Sequence, residues 1–287
     1  MNNLQEILSG QRFAFGHNWK KFLLLLDEQR ILGAENSLKE MLEVETLADK
    51  RFLDIGSGSG LFSLAARRLG AKVYSFDYDP QSVGCTNELK RRYFPDDPDW
   101  TIEESSILDK GRLPTLGTFD VVYSWGVLHH TGALWVALDH ASKLVKKNGK
   151  LFIAIYNDQG RASKIWSGVK RAYNAMPYGF RWLIVLPAFT RLWGPTIVRD
   201  LLRGNPFFTW GNYAKQSTRG MDPWRDVIDW VGGMPFEVAK PEDIFDFCRS
   251  RGFILNRLKT CAGGLGCNEY VFALAEHDAL HSTDVPS

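Results

Sequence analysis

The period of the apolar positions changes several times along the chain, and each change marks an element. Trp19, Phe22, Leu23 and Leu26 stand at i, i+3, i+4 and i+7 with Lys20 and Lys21 opposite, the spacing of an amphipathic helix. Ser37 and Glu40 have capping-box spacing, so a second helix is expected to begin at Ser37 with Leu38, Met41 and Leu42 as its stripe. Phe52, Leu53 and Ile55 then suit a buried strand, and Leu61 to Leu69 return to helical spacing until Gly70 stops them. Val73 to Phe76 is a second strand, and Asp79-Pro80 opens the next helix as N-cap and first-turn proline. A proline-rich turn over 93–99 precedes a short third strand, Trp100 to Glu103. Phe119 to Trp125 is a fourth strand. Leu134, Leu138, Ala141 and Val145 give a helix ending near Lys146-Lys147-Asn148-Gly149, and Lys150 to Tyr156 a fifth strand.

The alternation resumes only at Lys240-Pro241, which opens a helix ended by Gly252, followed by strands over 254–260 and 269–276 joined through Cys261 to Asn268. Strands alternating with helices predict a parallel sheet, and the last two strands an antiparallel hairpin. Between the two parts lie residues 157–239, far longer than an ordinary crossover. Ile165, Trp166, Val169, Ala172, Tyr173 and Met176 predict one amphipathic helix there; Trp182 to Trp193 is a very apolar segment; Asp222-Pro223-Trp224 opens a third helix ending at Gly232-Gly233. The expected organisation is a helical extension over 1–50, an α/β core over 51–156 and 240–276, a helical cap over 157–239, and a loose polar tail over 277–287.

The chemistry gathers where the first strand ends. Gly56, Gly58 and Gly60 permit positive φ and close approach of a ligand to the backbone, at the start of a helix with free N–H groups. Asp77 ends the second strand, twenty-one residues after Gly56, where a doubly wound sheet places the carboxylate that accepts ribose hydroxyls. The spacing is G-x-G-x-G rather than the dinucleotide G-x-G-x-x-G. Asp54, two residues before the first glycine, suits a cation such as an amino group.

The run Leu53-Asp54-Ile55-Gly56-Ser57-Gly58-Ser59-Gly60 resembles the first motif of the class I S-adenosylmethionine-dependent methyltransferases. The resemblance covers roughly residues 50–156 and 240–276, and its motifs are specific for cofactor rather than acceptor. It implies an α/β, doubly wound, mostly parallel seven-stranded sheet of order 3-2-1-4-5-7-6. It also implies S-adenosyl-L-methionine held by Asp54, Gly56, Ser57, Gly58, Gly60, Asp77, Tyr78, Ser106, Ile107, Ser124 and Trp125. Where the family usually reads Gly-Asp for the adenine contact, this chain has Ser105-Ser106; a serine hydroxyl can still accept a hydrogen bond, and Asp109 is an alternative at a late spacing.

Beyond the fourth strand, Gly126 to Gly132 contains His129 and His130 at the ligand-binding end of the sheet. Either imidazole can serve as a base near neutral pH for a hydroxyl acceptor, or the pair can merely cap the next helix. Tyr156, Asn157 and Asp158 leave the fifth strand near the same point, and Asp226 and Asp229 can reach it from the cap. Trp19 belongs to the aromatic segment Phe13 to Trp19, which either anchors the first helix or folds over the cofactor as a lid.

Composition narrows the rest. In 287 residues, 45% hydrophobic and 24% charged with a net charge of +2 is ordinary globular usage and argues for no particular polyanion. Four cysteines without C-x-x-C spacing read as thiols of a cytoplasmic protein rather than a disulfide frame or metal site; no leader or membrane-spanning run is visible. The 157–239 segment holds six of the ten tryptophans and eleven Lys/Arg against six Asp/Glu. Its aromatics are in part its own core. It is further expected to close a pocket around an apolar or anionic small molecule. A membrane-surface contact through 180–198 is opposed by Arg181, Arg191 and two prolines, and RNA stacking by charges that are scattered rather than striped. The expected function is methyl transfer to a small-molecule acceptor, a hydroxyl of a quinol-like or other apolar metabolite. The alternatives are an RNA methyltransferase and a non-catalytic S-adenosylmethionine-binding protein.

Overall fold

The computed structural model describes residues 3–216 and 223–275. Three helices precede the sheet: α1 (Asn3–Leu8), α2 (Phe15–Phe22) and α3 (Glu28–Leu42). α3 starts nine residues before the expected Ser37. Asp27 caps it, accepting the Arg30 N–H at 2.9 Å, and the buried stripe Ile31, Ala34, Leu38, Met41, Leu42 already begins in its first turn. A cap supported by a full-length apolar stripe outweighs a capping box lying inside that stripe.

The α/β units follow as β1 (Arg51–Ile55), α4 (Leu61–Arg68), β2 (Lys72–Asp77), α5 (Pro80–Tyr93), β3 (Trp100–Glu104), α6 (Leu113–Leu116), β4 (Phe119–Trp125), α7 (Leu134–Lys143) and β5 (Val145–Tyr156). Asp79 caps α5 with Pro80 in its first turn. The chain then forms α8 (Arg161–Ala175), α9 (Trp182–Leu202), α10 (Phe208–Gln216) and α11 (Pro223–Gly232) before returning through α12 (Pro241–Arg249), β6 (Phe253–Lys259) and β7 (Cys267–Leu274). The expected cap of α11, Asp222, and the tail over 277–287 lie outside the described residues.

The seven strands form one sheet of order β3-β2-β1-β4-β5-β7-β6. Strands β1 to β5 pair in parallel, and β7 runs antiparallel to both β5 and β6. The sheet is covered on both faces. One face packs Phe52, Leu64, Trp100 and Phe152 against α3, α4 and α5; the other packs Leu53, Val122, Ile153 and Phe272 against α7 and α12. Full burial of each such side chain contributes about 1.5–3 kcal/mol. A third, smaller core joins Tyr173, Val185, Ala188, Trp193, Val227 and Val231 of α8, α9 and α11.

Two details of the cap differ from expectation. The apolar segment after Trp182 is one helix of 21 residues that runs through Pro187 and Pro195. The inward face of α8 is Ser163, Lys170 and Tyr173, while Ile165 is 66% exposed. The helix is rotated so that Lys170, rather than an aliphatic residue, faces the interior.

Candidate cofactor and acceptor site

A cavity of about 620 Å³ opens at the carboxyl ends of β1, β2 and β4, where loops from both halves of the sheet meet. Its floor is the turn after β1. Gly56 and Gly58 hold φ of +77° and +58°. A Cβ on Gly56 would lie 2.4 Å from Val127 Cγ1, and one on Gly58 would lie 3.1 Å from the Trp19 indole, so the turn is glycine-dependent for both conformation and space. Ser57 fastens the turn to α5 through Thr86 Oγ1 at 2.9 Å.

Two carboxylates flank this floor. Asp54 is buried and accepts a hydrogen bond from Ser63 Oγ. Burial pushes its pKa up to about 7, a rise opposed by the Ser63 hydroxyl and reinforced by the charge of Asp77. Asp77 accepts the Gly58 N–H at 2.9 Å and the Asp79 N–H at 2.8 Å. Burial lifts it to about 6 in spite of those two bonds. The far wall is Ser105 to Leu108; Ser106 Oγ accepts the Leu108 N–H at 3.1 Å, which turns the loop inward.

The N-terminal segment forms the roof. The Gly16 N–H donates to Asp79 Oδ2 at 2.9 Å, Asn18 donates its amide to Asp229, and Arg12 donates to the His130 carbonyl at 3.0 Å. Arg12 also stands 4.9 Å from the centre of the Tyr78 ring and pairs with Glu6. Residues Phe13 to Trp19 thus cross the cavity mouth instead of lying away from it.

The opposite end is aromatic. His130 lines the cavity, and its Nδ1 is 2.6 Å from the Pro235 carbonyl oxygen. A carbonyl can only accept, so Nδ1 carries the proton and Nε2 is the basic nitrogen of the neutral ring. Phe15 packs against this imidazole at 5.0 Å between centroids. Tyr156 stacks on His129 at 3.9 Å and meets Trp230 edge-on at 5.3 Å. From α11, Asp226 accepts the Tyr213 hydroxyl and stands beside Asp229 and Trp230 in the lining. Behind this wall Lys170 is fully buried, its Nζ donating to the Trp230 carbonyl and lying 4.6 Å from the ring centres of both Trp230 and Phe236. Burial pulls its ammonium down to about 7, against the attraction of Asp229.

The cavity brings together Asp54, Gly56, Ser57, Gly58, Asp77, Tyr78, Ser106, Ile107, Trp125, His130, Trp19, Tyr156 and Asp226. Six other candidates fall outside the lining, among them Asp158, which accepts the Gly160 N–H at 2.8 Å. Gly60 stands at the start of α4, where a Cβ would meet Thr86. Ser124 ties β4 to the Ile55 carbonyl at 3.1 Å. His129 is fully buried and takes the Tyr156 N–H on Nδ1 at 3.3 Å. Asn157 accepts from Asn268 at 3.1 Å, and Asp109 accepts the Gly111 N–H in its own turn.

Sequence reasoning did not single out Arg12, Asn3, Trp230 or Lys170. Lys170 left one trace, a lysine four residues after Trp166 and three before Tyr173 on the aromatic side of α8. Arg12 and Asn3 left none, because only the fold brings the N-terminal segment against Tyr78 and His130.

A parallel sheet ending in an antiparallel hairpin, in this strand order and with a glycine turn facing an acid at the end of β2, defines the class I S-adenosylmethionine-dependent methyltransferase fold. The sequence pattern of one family, the methyltransferase domain, matches residues 26–193, more than half of the chain. The chain belongs to that family.

The chain is 24% identical over 133 residues to a ubiquinone biosynthesis O-methyltransferase of Rhizobium johnstonii, covering 46% of this chain and 52% of that protein. It is 50% identical over 58 residues to a ribosomal protein L11 methyltransferase of Prochlorococcus marinus, 20% of this chain and 19% of that one. The chain therefore spans about half the length of the first relative and about a fifth of the second. Among solved structures, the magnesium protoporphyrin IX methyltransferase of Synechocystis PCC 6803 with bound SAH superposes with a TM-score of 0.50 at 14% identity, covering 86% of this chain and 84% of that one. At that identity the likeness concerns the fold.

Proposed function

We propose that this protein is an S-adenosylmethionine-dependent methyltransferase acting on a hydroxyl of a small, apolar acceptor of the quinol type. The observation that carries the acceptor chemistry is the His130–Pro235 bond, which fixes the proton on Nδ1 of an imidazole that lines the aromatic-walled cavity.

The residues at the other end of the cavity fit an adenosyl cofactor. Asp54 is an acid suited to the cationic amino group, Asp77 lies at the end of β2 where ribose hydroxyls are bound, and Ser106 with Ile107 walls the adenine end. Gly58 keeps the floor free of a side chain, and the Trp19 indole packs directly over it. When bound, the cofactor supplies an electrophilic methyl group on a sulfonium.

The protein's own contribution is alignment and one proton. Tyr156, Trp230 and Phe15 shape an aromatic slot between the N-terminal roof and the cap, where an acceptor can be aligned with the methyl group. His130 Nε2 takes the hydroxyl proton of the acceptor as its oxygen becomes methylated, and Pro235 holds the resulting imidazolium through Nδ1. The two relatives named for their acceptors support different classes, a quinone precursor and a ribosomal protein. The aromatic wall of Tyr156, Trp230 and Phe15 favours the former, since an apolar ring packs on such side chains.

Incubating the purified protein with methyl-labelled S-adenosylmethionine and a panel of catechols and hydroquinones is expected to give labelled products one methylene heavier. A panel left unlabelled, while a protein extract or a ribonuclease-sensitive fraction takes up the label, would refute the quinol-type reading.

A further inference from the structure

We propose that Arg12 is a positioning residue for the reaction: its guanidinium holds the backbone of His130 in place and ties that placement to the cofactor half of the cavity. The proposal rests on the reading of His130 as the base.

Arg12 stands between α1 and α2 and is the one Lys or Arg among the described residues of the cavity lining. Three contacts fix its plane. Nε donates to Glu6 Oε2 at 2.7 Å, Nη1 donates to the His130 carbonyl at 3.0 Å, and the guanidinium carbon lies 4.9 Å from the centre of the Tyr78 ring. Glu6 is shared, since its other oxygen accepts the Tyr78 hydroxyl at 3.3 Å. Arg12, Glu6 and Tyr78 thus close a triangle beside Asp77, the acid placed for the ribose. Burial raises the pKa of Asp77, and the Arg12 charge is among the groups that oppose the rise.

The residues that follow hold His130 from its other sides. The Phe13 N–H donates to the Met234 carbonyl at 3.1 Å, one residue before the Pro235 carbonyl that fixes the imidazole through Nδ1. Phe15 packs on the imidazole itself. Arg12 is the member of this stretch that touches both Tyr78 and His130, so it links the ribose end of the cavity to the base.

The choice of side chain points to geometry rather than stability. The Arg12 and Glu6 side chains are only 17% and 22% exposed, and for a pair so far from water the cost of desolvation offsets most of the attraction. What the pair supplies is direction. A planar guanidinium can bond two acceptors in its plane while its face rests on a ring, which an ammonium cannot do. A displacement of about 1 Å at a reacting group can cost about a hundredfold in rate, so an anchor on the base's own carbonyl is large enough to matter.

The test is a double-mutant cycle on turnover, with methyl-labelled S-adenosylmethionine and catechol as acceptor. Arg12→Ala is expected to lower kcat at least about tenfold, with KM for catechol and affinity for S-adenosylhomocysteine within about threefold of wild type. In a His130→Ala background the same substitution should have no further effect, because a residue acting through the base has nothing left to place. Arg12→Lys keeps the charge beside Glu6, guards against an alanine variant that does not fold, and should lose turnover in the same direction. Wild-type kcat in both single variants overturns the proposal, as do losses that multiply in the double variant. A loss of S-adenosylhomocysteine affinity as large as the loss in kcat also overturns it, by making Arg12 a cofactor ligand. Full turnover in His130→Ala removes the base reading and this proposal with it.

A second readout needs no acceptor. The Nδ1 proton of His130, assigned by its absence from His130→Ala, should give a protected NMR resonance in wild type and broaden by solvent exchange in Arg12→Ala. A resonance unchanged in Arg12→Ala overturns the placement. If wild type leaves catechol unlabelled while the resonance responds to Arg12→Ala, the placement of His130 stands and the quinol-type reading alone fails.

Discussion

His130 and Pro235 are joined through Nδ1 and a carbonyl oxygen 2.6 Å apart, so a single backbone group of the loop between α11 and α12 fixes the imidazole tautomer at the cavity. His130→Ala is expected to lower turnover by about a hundredfold or more while leaving cofactor affinity within about twofold, the pattern of a lost general base. His129→Ala is expected to act differently. Its ring is fully buried against Tyr156, and truncation should cost about 2 kcal/mol or more of stability. Turnover of labelled methyl and urea midpoints, measured on both variants, separate the two roles; equal turnover in His130→Ala and wild type removes the base.

Asp77 accepts the Gly58 and Asp79 N–H groups, so it shapes the floor as well as facing the cavity. Asp77→Ala should weaken cofactor binding by about ten- to a hundredfold, the scale of losing hydrogen bonds to a charged group. Calorimetric titration with S-adenosylhomocysteine is the check. An unchanged affinity would show that no ribose contact is made there.

Asp54 makes that binding pH-dependent. With its pKa lifted to about 7, it is charged above that value and neutral below it in the unliganded protein. Since the carboxylate form is the one that attracts an ammonium group, affinity should fall by up to tenfold per unit as pH drops below about 7. Stability runs the other way. Its folded pKa lies above the ordinary 3.8, so the folded state holds the extra proton between those values and loses stability as pH rises from 3.8 towards about 7. Asp54→Asn should flatten both dependences, with calorimetry at several pH values reading the first and urea midpoints the second.

How far these features were legible in the sequence follows from their range. The glycine turn, Asp54 and Asp77 lie within one βαβ unit, where periodicity and punctuation in neighbouring residues carry the information, whereas the sheet order came from the family resemblance that this turn carries. The two histidines could be placed in one turn but not told apart, because burial of His129 and tautomer locking of His130 depend on Tyr156 and Pro235 from distant segments. The start of α3 was missed because an internal Ser-x-x-Glu competes on paper with Asp27, and only the packed stripe decides between them. α9 read only as an apolar segment over 182–193, without a helix, because proline is penalised within helices. Its packing against α8 and α11 offsets that cost.

Trp19 and Gly58 should be energetically coupled. A methyl on Gly58 would stand 3.1 Å from the indole and require a φ of +58° that alanine adopts poorly, so Gly58→Ala should cost about 1 kcal/mol in backbone strain plus displacement of the roof. In a Trp19→Ala background the second part disappears. A double-mutant cycle on urea stability is expected to give an interaction energy of about 0.5 kcal/mol or more; strict additivity would mean that the indole does not rest on the turn in solution.

Lys170 offers the sharpest stability test, because its amine is buried among aromatic rings with the Trp230 carbonyl as hydrogen-bond acceptor. Burial brings its pKa down from 10.5 to about 7. Between those two values the unfolded chain binds a proton that the folded protein does not, so this residue makes stability rise with pH, by up to about 1.4 kcal/mol per unit. Below about pH 7 the whole cost of burying the ammonium is present. Lys170→Met removes the titration and also leaves the Trp230 carbonyl without this donor, an offset of about 1–3 kcal/mol that does not vary with pH. The difference in unfolding free energy between wild type and variant should therefore climb steadily from pH 7 to pH 10.5, whatever its starting value. A flat difference would mean that the faces of Trp230 and Phe236, both 4.6 Å from Nζ, hold a permanently charged ammonium.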